Sequence, residues 1–203
     1  MKKIEQAILS FNEEFIDDER FLLEQSNPGT KEELNKIQVL TNTVFPLSLQ
    51  EFYQNIGGLS FNEIYEDDRE GVRLNLYSIS NYLHFLNATA NWEKLYSFGL
   101  IDYLKFNWDN DRPEFEDIEP EKIAYLNENY KCFGVFSFNF NEHHSLYFDK
   151  DGNFGKISYN QNNFYGLWNE HLNGMLIKSP AKETFENLIS SALEEIKQVI
   201  IRW

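Results

Sequence analysis

The stretch FPLSLQEFYQNIGGLSF, residues 45–61, contains the signals that decide the fold. Pro46 suits the first position of a helix, because the N–H group that proline lacks would have no intrahelical partner there. Gly57 follows the helical pattern directly, and a glycine at positive φ commonly ends a helix. The apolar residues between them recur at i, i+3, i+4 and i+7, which predicts one buried helical face: Leu49, Phe52, Tyr53 and Ile56.

The pair Gly57-Gly58 is compatible with either a phosphate-binding loop or the end of a helix. A dinucleotide-binding fingerprint needs G-x-G-x-x-G between a strand and the helix that follows it. Here the order is reversed, since a helical pattern precedes the pair and an extended run follows it. The chain also contains no Gly-Lys-Ser or Gly-Lys-Thr of the Walker type. We therefore predict that the pair ends the helix and turns the chain into a sheet.

Two further helices are predicted before this stretch. Thr30 and Glu33 have the spacing of a capping box, in which each side chain satisfies a free amide at the start of a helix. The buried face of that helix is expected to be Leu34, Ile37 and Leu40. The first helix has one apolar face with acidic residues opposite, formed by Ile4, Ile8, Phe11 and Phe15.

A helical region and a C-terminal helix are predicted after it. Residues 78–130 are mostly helical in character and rich in aromatic residues, and Pro120 suits the start of a helix that ends near Tyr130. Ser179 and Pro180 are a good cap and a good first residue for the last helix. Its buried face follows helical spacing throughout: Phe185, Leu188, Ile189, Ala192, Leu193, Ile196, Val199 and Ile200.

Alternating apolar residues and turn signals predict two sets of strands. Residues 59–77 contain two extended runs, joined by a charged turn at residues 66–71. Within residues 149–155, the pair Asp151-Gly152 is a strong hairpin signal. The later strands are expected at residues 132–140, 145–148 and 156–159.

The composition indicates an acidic globular chain. Its 203 residues suit one large domain better than two, and a hydrophobic content of 42% is enough for a core. The 33 acidic residues against 18 basic ones give a formal charge of −15. Such a surface repels phosphate backbones, so a nucleic-acid partner is disfavoured, and it attracts cationic proteins. The alternative is that the acidity only keeps the protein soluble.

The N-terminal sequence and the cysteine content favour a cytoplasmic protein. Glu5, Glu13 and Glu14 interrupt the apolar region that a signal peptide would need, and no stretch approaches the roughly 20 apolar residues that span a bilayer. The single cysteine, Cys132, excludes an intramolecular disulfide. Because it lies in an apolar strand-like run, we expect a buried, inert thiol. We expect no membrane association.

Residue types used in catalysis and metal binding are present without the spacing that their chemistry needs. The run that begins at Asp149 resembles a calcium loop, but Phe154 and Asn160 occupy the positions that require glycine and a bidentate glutamate. His143 and His144 are adjacent, so on a strand they would point to opposite faces. These patterns therefore predict no catalytic residue, no cofactor and no metal site.

Acidic and aromatic segments are the remaining candidates for binding. The acidic loop at residues 109–119 is either a solvated loop or a docking surface, and the acidic hairpin turn is a second candidate. The candidate partner-binding residues are Trp108, Asp109, Asp111, Glu114, Glu116, Asp117, Glu119, Glu66, Asp67 and Asp68. A sugar or peptide groove is the alternative use of the aromatic residues Trp92, Tyr96, Phe98, Tyr103, Phe106 and Trp108, most of which are expected in the core.

The order of these motifs resembles the SUKH superfamily, which includes fungal cell-wall-assembly regulators and many bacterial proteins. The proline-opened helix and its Ile-Gly-Gly end, residues 45–58, fit its first hallmark. Residues 108–114 look like a tryptophan-containing loop of bacterial members, and residues 184–188 resemble the start of its last helix. Residues 133–136 and 147–155 look like its later strands and hairpin. The structural markers are Pro46, Gly57, Gly58, Asp151 and Gly152.

The resemblance implies an α+β fold with a twisted, largely antiparallel β-sheet packed by N-terminal and C-terminal helices. Residues 1–203 would form a single SUKH-like domain, with residues 1–35 as an N-terminal helical extension and residues 78–130 as a helical, aromatic-rich insertion. It also implies an immunity protein that binds and neutralises a cognate bacterial toxin without doing chemistry. The acidic balance suits a basic nuclease toxin as the partner. A regulatory scaffold in cell-wall or signalling assemblies is the alternative, and a glycan- or small-molecule-binding protein is a third.

Overall fold

The computed structural model describes residues 1–18, 21–64, 71–108, 113–138, 142–160 and 162–202. In these residues the chain forms one antiparallel sheet with helices, which confirms the α+β fold. The six strands lie side by side in chain order: β1 (Glu24–Ser26), β2 (Gly58–Ile64), β3 (Gly71–Leu76), β4 (Tyr130–Phe138), β5 (Glu142–Asp149) and β6 (Phe154–Asn160).

The predicted helices are present, but some of their bounds differ from the expectation, and the structure adds short helices within residues 164–175. They are α1 (Lys2–Glu14), α2 (Lys31–Thr41), α3 (Leu47–Asn55), α4 (Ile79–Asn87), α5 (Leu100–Asn107), α6 (Pro120–Asn129), α7 (Phe164–Leu167), α8 (Asn173–Met175) and α9 (Phe185–Ile201). Short 3-10 turns lie at Asn91–Glu93 and Pro113–Asp117, and a π-helical turn joins α7 to α8 at Trp168–Leu172. Within the described ranges, no helix is long and apolar enough to cross a membrane.

Both faces of the sheet are covered. One row of paired residues runs across five strands: Phe61, Leu74, Phe136, His144 and Ser158. This face meets α1 and α9, since Phe11 of α1 packs on Phe61 and Lys156 reaches Glu195 of α9. The opposite face carries Tyr159, which packs against Trp108 at the end of α5. The aromatic middle region is therefore the second layer over the sheet.

The helix α3 and the glycine pair agree with the sequence prediction. The face that contains Leu49, Phe52 and Tyr53 is fully buried, and Gly57 has φ +92°. The Gly57 amide donates a hydrogen bond of 3.1 Å to the carbonyl of Phe52, and β2 begins at the next residue. One detail is wrong: Pro46 is the cap residue and the helix begins at Leu47.

The start of the last helix is also wrong by several residues. Ser179 is not its cap, because its hydroxyl donates to the Asp149 carboxylate at 2.6 Å. The amides of Lys182 and Glu183 donate to the Phe154 carbonyl, which holds this segment against the sheet. The helix α9 begins only at Phe185, where the Thr184 hydroxyl accepts from the Asn187 amide at 3.3 Å.

Two further predictions fail near the N-terminus. The expected helical extension contains a strand, β1, which pairs with β2 through Ser26 opposite Gly58. In α2 the capping box of Thr30 is present, but Leu40 is 54% exposed. The buried face continues to Thr41, because a residue seven positions after Leu34 returns to the same side of a helix.

Candidate functional site

The predicted partner-binding residues fall into three groups. Glu66, Asp67, Asp68, Asp109 and Asp111 lie outside the described residues. Glu114 is half-buried. The remaining carboxylates are exposed around the 3-10 turn and the start of α6: Glu116, Asp117 and Glu119.

Trp108 is a core residue, which corrects its assignment to a partner-binding surface. Only 6% of its surface is exposed, and its ring lies 5.5 Å from that of Phe115 and 5.1 Å from that of Tyr159. A side chain so enclosed offers a partner almost no contact area. Of the other aromatic groove candidates, Phe98 and Tyr103 are fully buried, whereas Trp92 and Tyr96 are exposed.

The helix α6 is fixed in place by Asn127. Its side-chain oxygen accepts hydrogen bonds from the amides of Ile101 and Asp102, at 2.7 and 3.2 Å, and so caps the start of α5. Its side-chain nitrogen donates to the Asp102 carboxylate at 3.0 Å. Gly99 permits this close approach, because a Cβ there would lie 2.6 Å from the Cβ of Asn127. The opposite side of α6 is therefore held facing outward.

The outward side of α6 extends the acidic surface. Glu121, Tyr125 and Glu128 are exposed and follow i, i+4 and i+7 spacing, so they share one helical face. Glu121 and Glu128 are about 10 Å apart along the axis at 1.5 Å per residue. We call the exposed carboxylates of this region the acidic ridge: Glu116, Asp117, Glu119, Glu121 and Glu128. Among the described residues, Glu119 of this ridge forms an ion pair with Lys122 at 2.9 Å.

The acidic ridge ends at a cleft of about 390 Å³, which we call the turn cleft. Its walls are the end of α6, the β5–β6 turn and residues 42–46. The Lys150 amide donates to the Asn129 carbonyl at 3.0 Å, which ties the turn to α6. Gly152, at φ +79°, lies against Pro46. The structural markers Pro46, Asp151 and Gly152, distant in sequence, therefore line one cleft.

Asp149 organises the turn that forms one wall of the cleft. It is only 3% exposed. Its Oδ1 accepts from the amides of Asp151 and Asn153, at 3.0 and 2.9 Å, and its Oδ2 accepts from the Ser179 hydroxyl. The carboxylate thus serves the structure and leaves Asp151 exposed beside the cleft.

Four exposed aliphatic side chains lie within residues 39–47, and one of them, Val44, lines the turn cleft. The amides of Thr43 and Phe45 donate to the carbonyl and side-chain oxygen of Gln38, so residues 42–45 fold back onto the end of α2. We call the exposed aliphatic side chains of this segment and its two flanks the aliphatic patch: Val39 (81% exposed), Leu40 (54%), Val44 (84%) and Leu47 (70%). Sequence reasoning missed this patch, although Val39 and Leu40 both fall off the helical face of Leu34 and Thr41.

An aliphatic patch bordered by carboxylates is chemically suited to docking a protein. Clustered exposed apolar side chains mark interaction surfaces, because isolated ones are more usual on a monomer. Charged groups around such a patch steer the approach of a partner of opposite sign. The arrangement therefore fits a partner that presents an apolar contact with cationic groups around it.

The two adjacent histidines lie on opposite faces of β5, as the strand pattern predicts. His143 stacks on Tyr159 at 5.6 Å, whereas His144 stacks on Phe136 at 4.3 Å. They therefore cannot hold one ion together. No group of three metal-ligating side chains occurs in the part of the chain that the structure describes. Cys132 is fully buried, and burial raises its pKa, which makes the thiol a poor nucleophile.

His144 should make the protein sensitive to acid. Burial, followed by the charges of Lys156 and His143, lowers its pKa from 6.5 to about 3, although Glu142 lies 3.5 Å away. The unfolded chain therefore binds more protons between these two values, so stability is retained above pH 6.5 and lost as the pH falls. We expect a loss of about 2 kcal/mol between pH 7 and pH 5 from this residue.

Urea denaturation at a series of pH values measures this loss. His144→Asn should flatten the pH dependence relative to the parent protein, whereas His84→Asn, at an exposed position, should leave it unchanged. An unchanged slope in the His144 variant would refute the assignment.

Comparison with known proteins adds no relative. No protein-family model, curated protein sequence or solved structure matches this chain. The SUKH resemblance stays a prediction that rests on the motifs of residues 45–58, 108–114, 133–136, 147–155 and 184–188.

Proposed function

We propose that this chain is a cytoplasmic immunity protein that binds a cognate bacterial toxin and blocks it without catalysis. The observation that carries the proposal is the acidic ridge, which ends at the turn cleft beside the aliphatic patch. The SUKH-like order of the sequence motifs supports the same function independently of this surface.

The charge of the surface selects a cationic partner. The chain has a formal charge of −15, and the five carboxylates of the acidic ridge are exposed on one region. Toxins that cleave nucleic acids are expected to be basic, because they must bind phosphate backbones. Occupation of that basic surface by the acidic ridge would compete directly with the nucleic acid.

The aliphatic patch offers the apolar contact area that a stable complex needs in addition to charge attraction. Exposed ion pairs contribute little to affinity, whereas buried apolar side chains at the centre of an interface contribute most. Val44 and Leu47 are the most suitable central contacts, since Val44 lines the turn cleft, Leu47 directly follows Pro46 of its wall, and the two are 84% and 70% exposed. The acidic ridge then sets the rate and orientation of approach.

The test is co-expression with the toxin domain whose gene neighbours this one. The parent chain should restore growth, and Val44→Glu with Leu47→Glu should abolish protection by weakening the complex at least about tenfold. Ile177→Glu is the matched control, because Ile177 is 86% exposed outside the patch and should keep full protection. Absence of both rescue and complex with the parent chain would refute the immunity function.

The acidic ridge is tested by association kinetics. Glu121→Lys with Glu128→Lys should slow association about tenfold at low salt and make the rate less dependent on salt. Glu13→Lys with Glu14→Lys makes the same change in net charge on α1 and should have a much smaller effect. Equal effects of the two variants would assign the attraction to net charge and not to the ridge.

A further inference from the structure

A cleft of about 320 Å³, separate from the turn cleft, lies between β6, the π-helical turn and residues 178–182. We call it the lysine cleft. Its apolar wall includes the buried side chains of Ile157 and Met175. Its titratable side chains come from three separate segments of the chain and are Lys156, Glu170, His171, Lys178 and Lys182.

The lysine cleft is cationic within a strongly acidic chain. It holds three lysines against one carboxylate. The turn cleft, by contrast, has two lysines and three carboxylates. The adjoining cleft that shares Glu170 and His171 has two carboxylates and no lysine. The sign of the charge in the lysine cleft is therefore the opposite of that of the protein as a whole.

Two of the three lysines in this cleft have no ion-pair partner among the residues that the structure describes. Lys156 is committed to Glu195, at 2.6 Å, and lies over the ring of Phe136. Lys178 and Lys182 are exposed and form no ion pair within the described residues. Their ammonium groups are free to turn toward a bound anion, since each sits on a flexible four-carbon stem.

The π-helical turn supplies a third donor. It places half-buried His171 between α7 and α8, where the side chain lines the lysine cleft. Turns of this kind are rare and occur frequently at functional sites, since the extra residue changes the direction in which side chains leave the helix. A ring N–H of a histidine in this position can donate a hydrogen bond to a bound anion.

We propose that the lysine cleft binds a small ligand through a phosphate group, held by Lys178, Lys182 and His171. The volume lies at the lower end of the range for small-molecule sites, about 300–1,000 Å³, and leaves room for more than the phosphate. The apolar wall of Ile157 and Met175 suits the remainder of the ligand.

The experiment is a titration of the full chain with inorganic pyrophosphate in a buffer free of phosphate and sulfate. The ring protons of His171 report binding by NMR. We expect a saturable shift of these signals, because the ring lines the cleft in which the anion binds. Inorganic phosphate should bind more weakly, and acetate should leave the signals unchanged.

The paired variant Lys178→Gln with Lys182→Gln should weaken pyrophosphate binding at least about tenfold. Lys31→Gln with Lys36→Gln changes the net charge equally at two exposed positions of α2 and should bind as the parent does. A shift that does not saturate, or equal weakening in both variants, would overturn the site. Equal binding of acetate would overturn the preference for phosphate. Partner binding at the aliphatic patch is unaffected by either result.

Discussion

Gly57→Ala should destabilise the protein by more than about 3 kcal/mol, which is a large part of the total stability of an ordinary domain. At φ +92° a residue with a Cβ is strained. The added Cβ would also collide with the carbonyl oxygens of Ser26 and Asn27 at the end of β1. Because these are backbone atoms, no change of side-chain rotamer can relieve the contact.

Thermal and urea denaturation measure this effect. A loss of about 3 kcal/mol corresponds to a fall in Tm of about 6–12 °C for a chain of this size. The matched control is Gly174→Ala, where an added Cβ has no atom within 4 Å and the residue is in α8. That variant should be neutral or more stable by up to about 1 kcal/mol. A Gly57 variant with the parent Tm would contradict the helix-ending role of this glycine.

Asp149→Ala should cost roughly 3 kcal/mol. The buried carboxylate accepts from two backbone amides and from the Ser179 hydroxyl, and hydrogen bonds to a charged group are among the stronger ones. Alanine would leave these donors without their acceptor. It would also release residues 179–183, so we expect the segment before α9 to loosen together with the β5–β6 turn.

Hydrogen exchange distinguishes this result from a general loss of stability. The amides of Asp151, Asn153 and Glu183 should lose protection most in the Asp149 variant. Asp151→Ala, in the same turn at an exposed position, should change the free energy of unfolding by less than about 0.5 kcal/mol. Similar losses in the two variants would show that the buried carboxylate is not the organising group.

The sequence alone predicts those helices and turns whose local residue pattern is compatible with only one structure. The buried face of α3, the helix end at Gly57 and the Asp151-Gly152 hairpin follow from spacing and backbone preference alone. The strand β1 has no such pattern, because its three residues are polar and largely exposed and it exists only through pairing with β2. The start of α9 likewise depends on Asp149, a distant residue that withdraws Ser179 from capping.

Less of the candidate site than of the fold can be predicted from the sequence, because most of the site depends on contacts between residues that are distant in the chain. The exposed carboxylates Glu116, Asp117 and Glu119 were anticipated from charge alone. The sequence leaves Trp108 as a candidate for partner binding or for the core, and packing against Tyr159 on one face of the sheet buries it. The aliphatic patch depends on how residues 42–45 fold back on α2, and a hydrophobic residue in the sequence does not reveal whether anything covers it.

Because the first and last helices pack on each other, the first helix cannot be fully buried until the last helix has been synthesised. The Met1 amino group lies 3.3 Å from Glu186, and Lys3 bonds Asn187, so contacts between α1 and α9 span 185 and 184 residues. During synthesis α1 is made before α9, yet α1 packs against α9, so part of its apolar face has no cover until α9 follows. The nascent chain therefore exposes apolar side chains of α1 until α9 has been synthesised. A chaperone that covers these side chains should raise the yield of native protein.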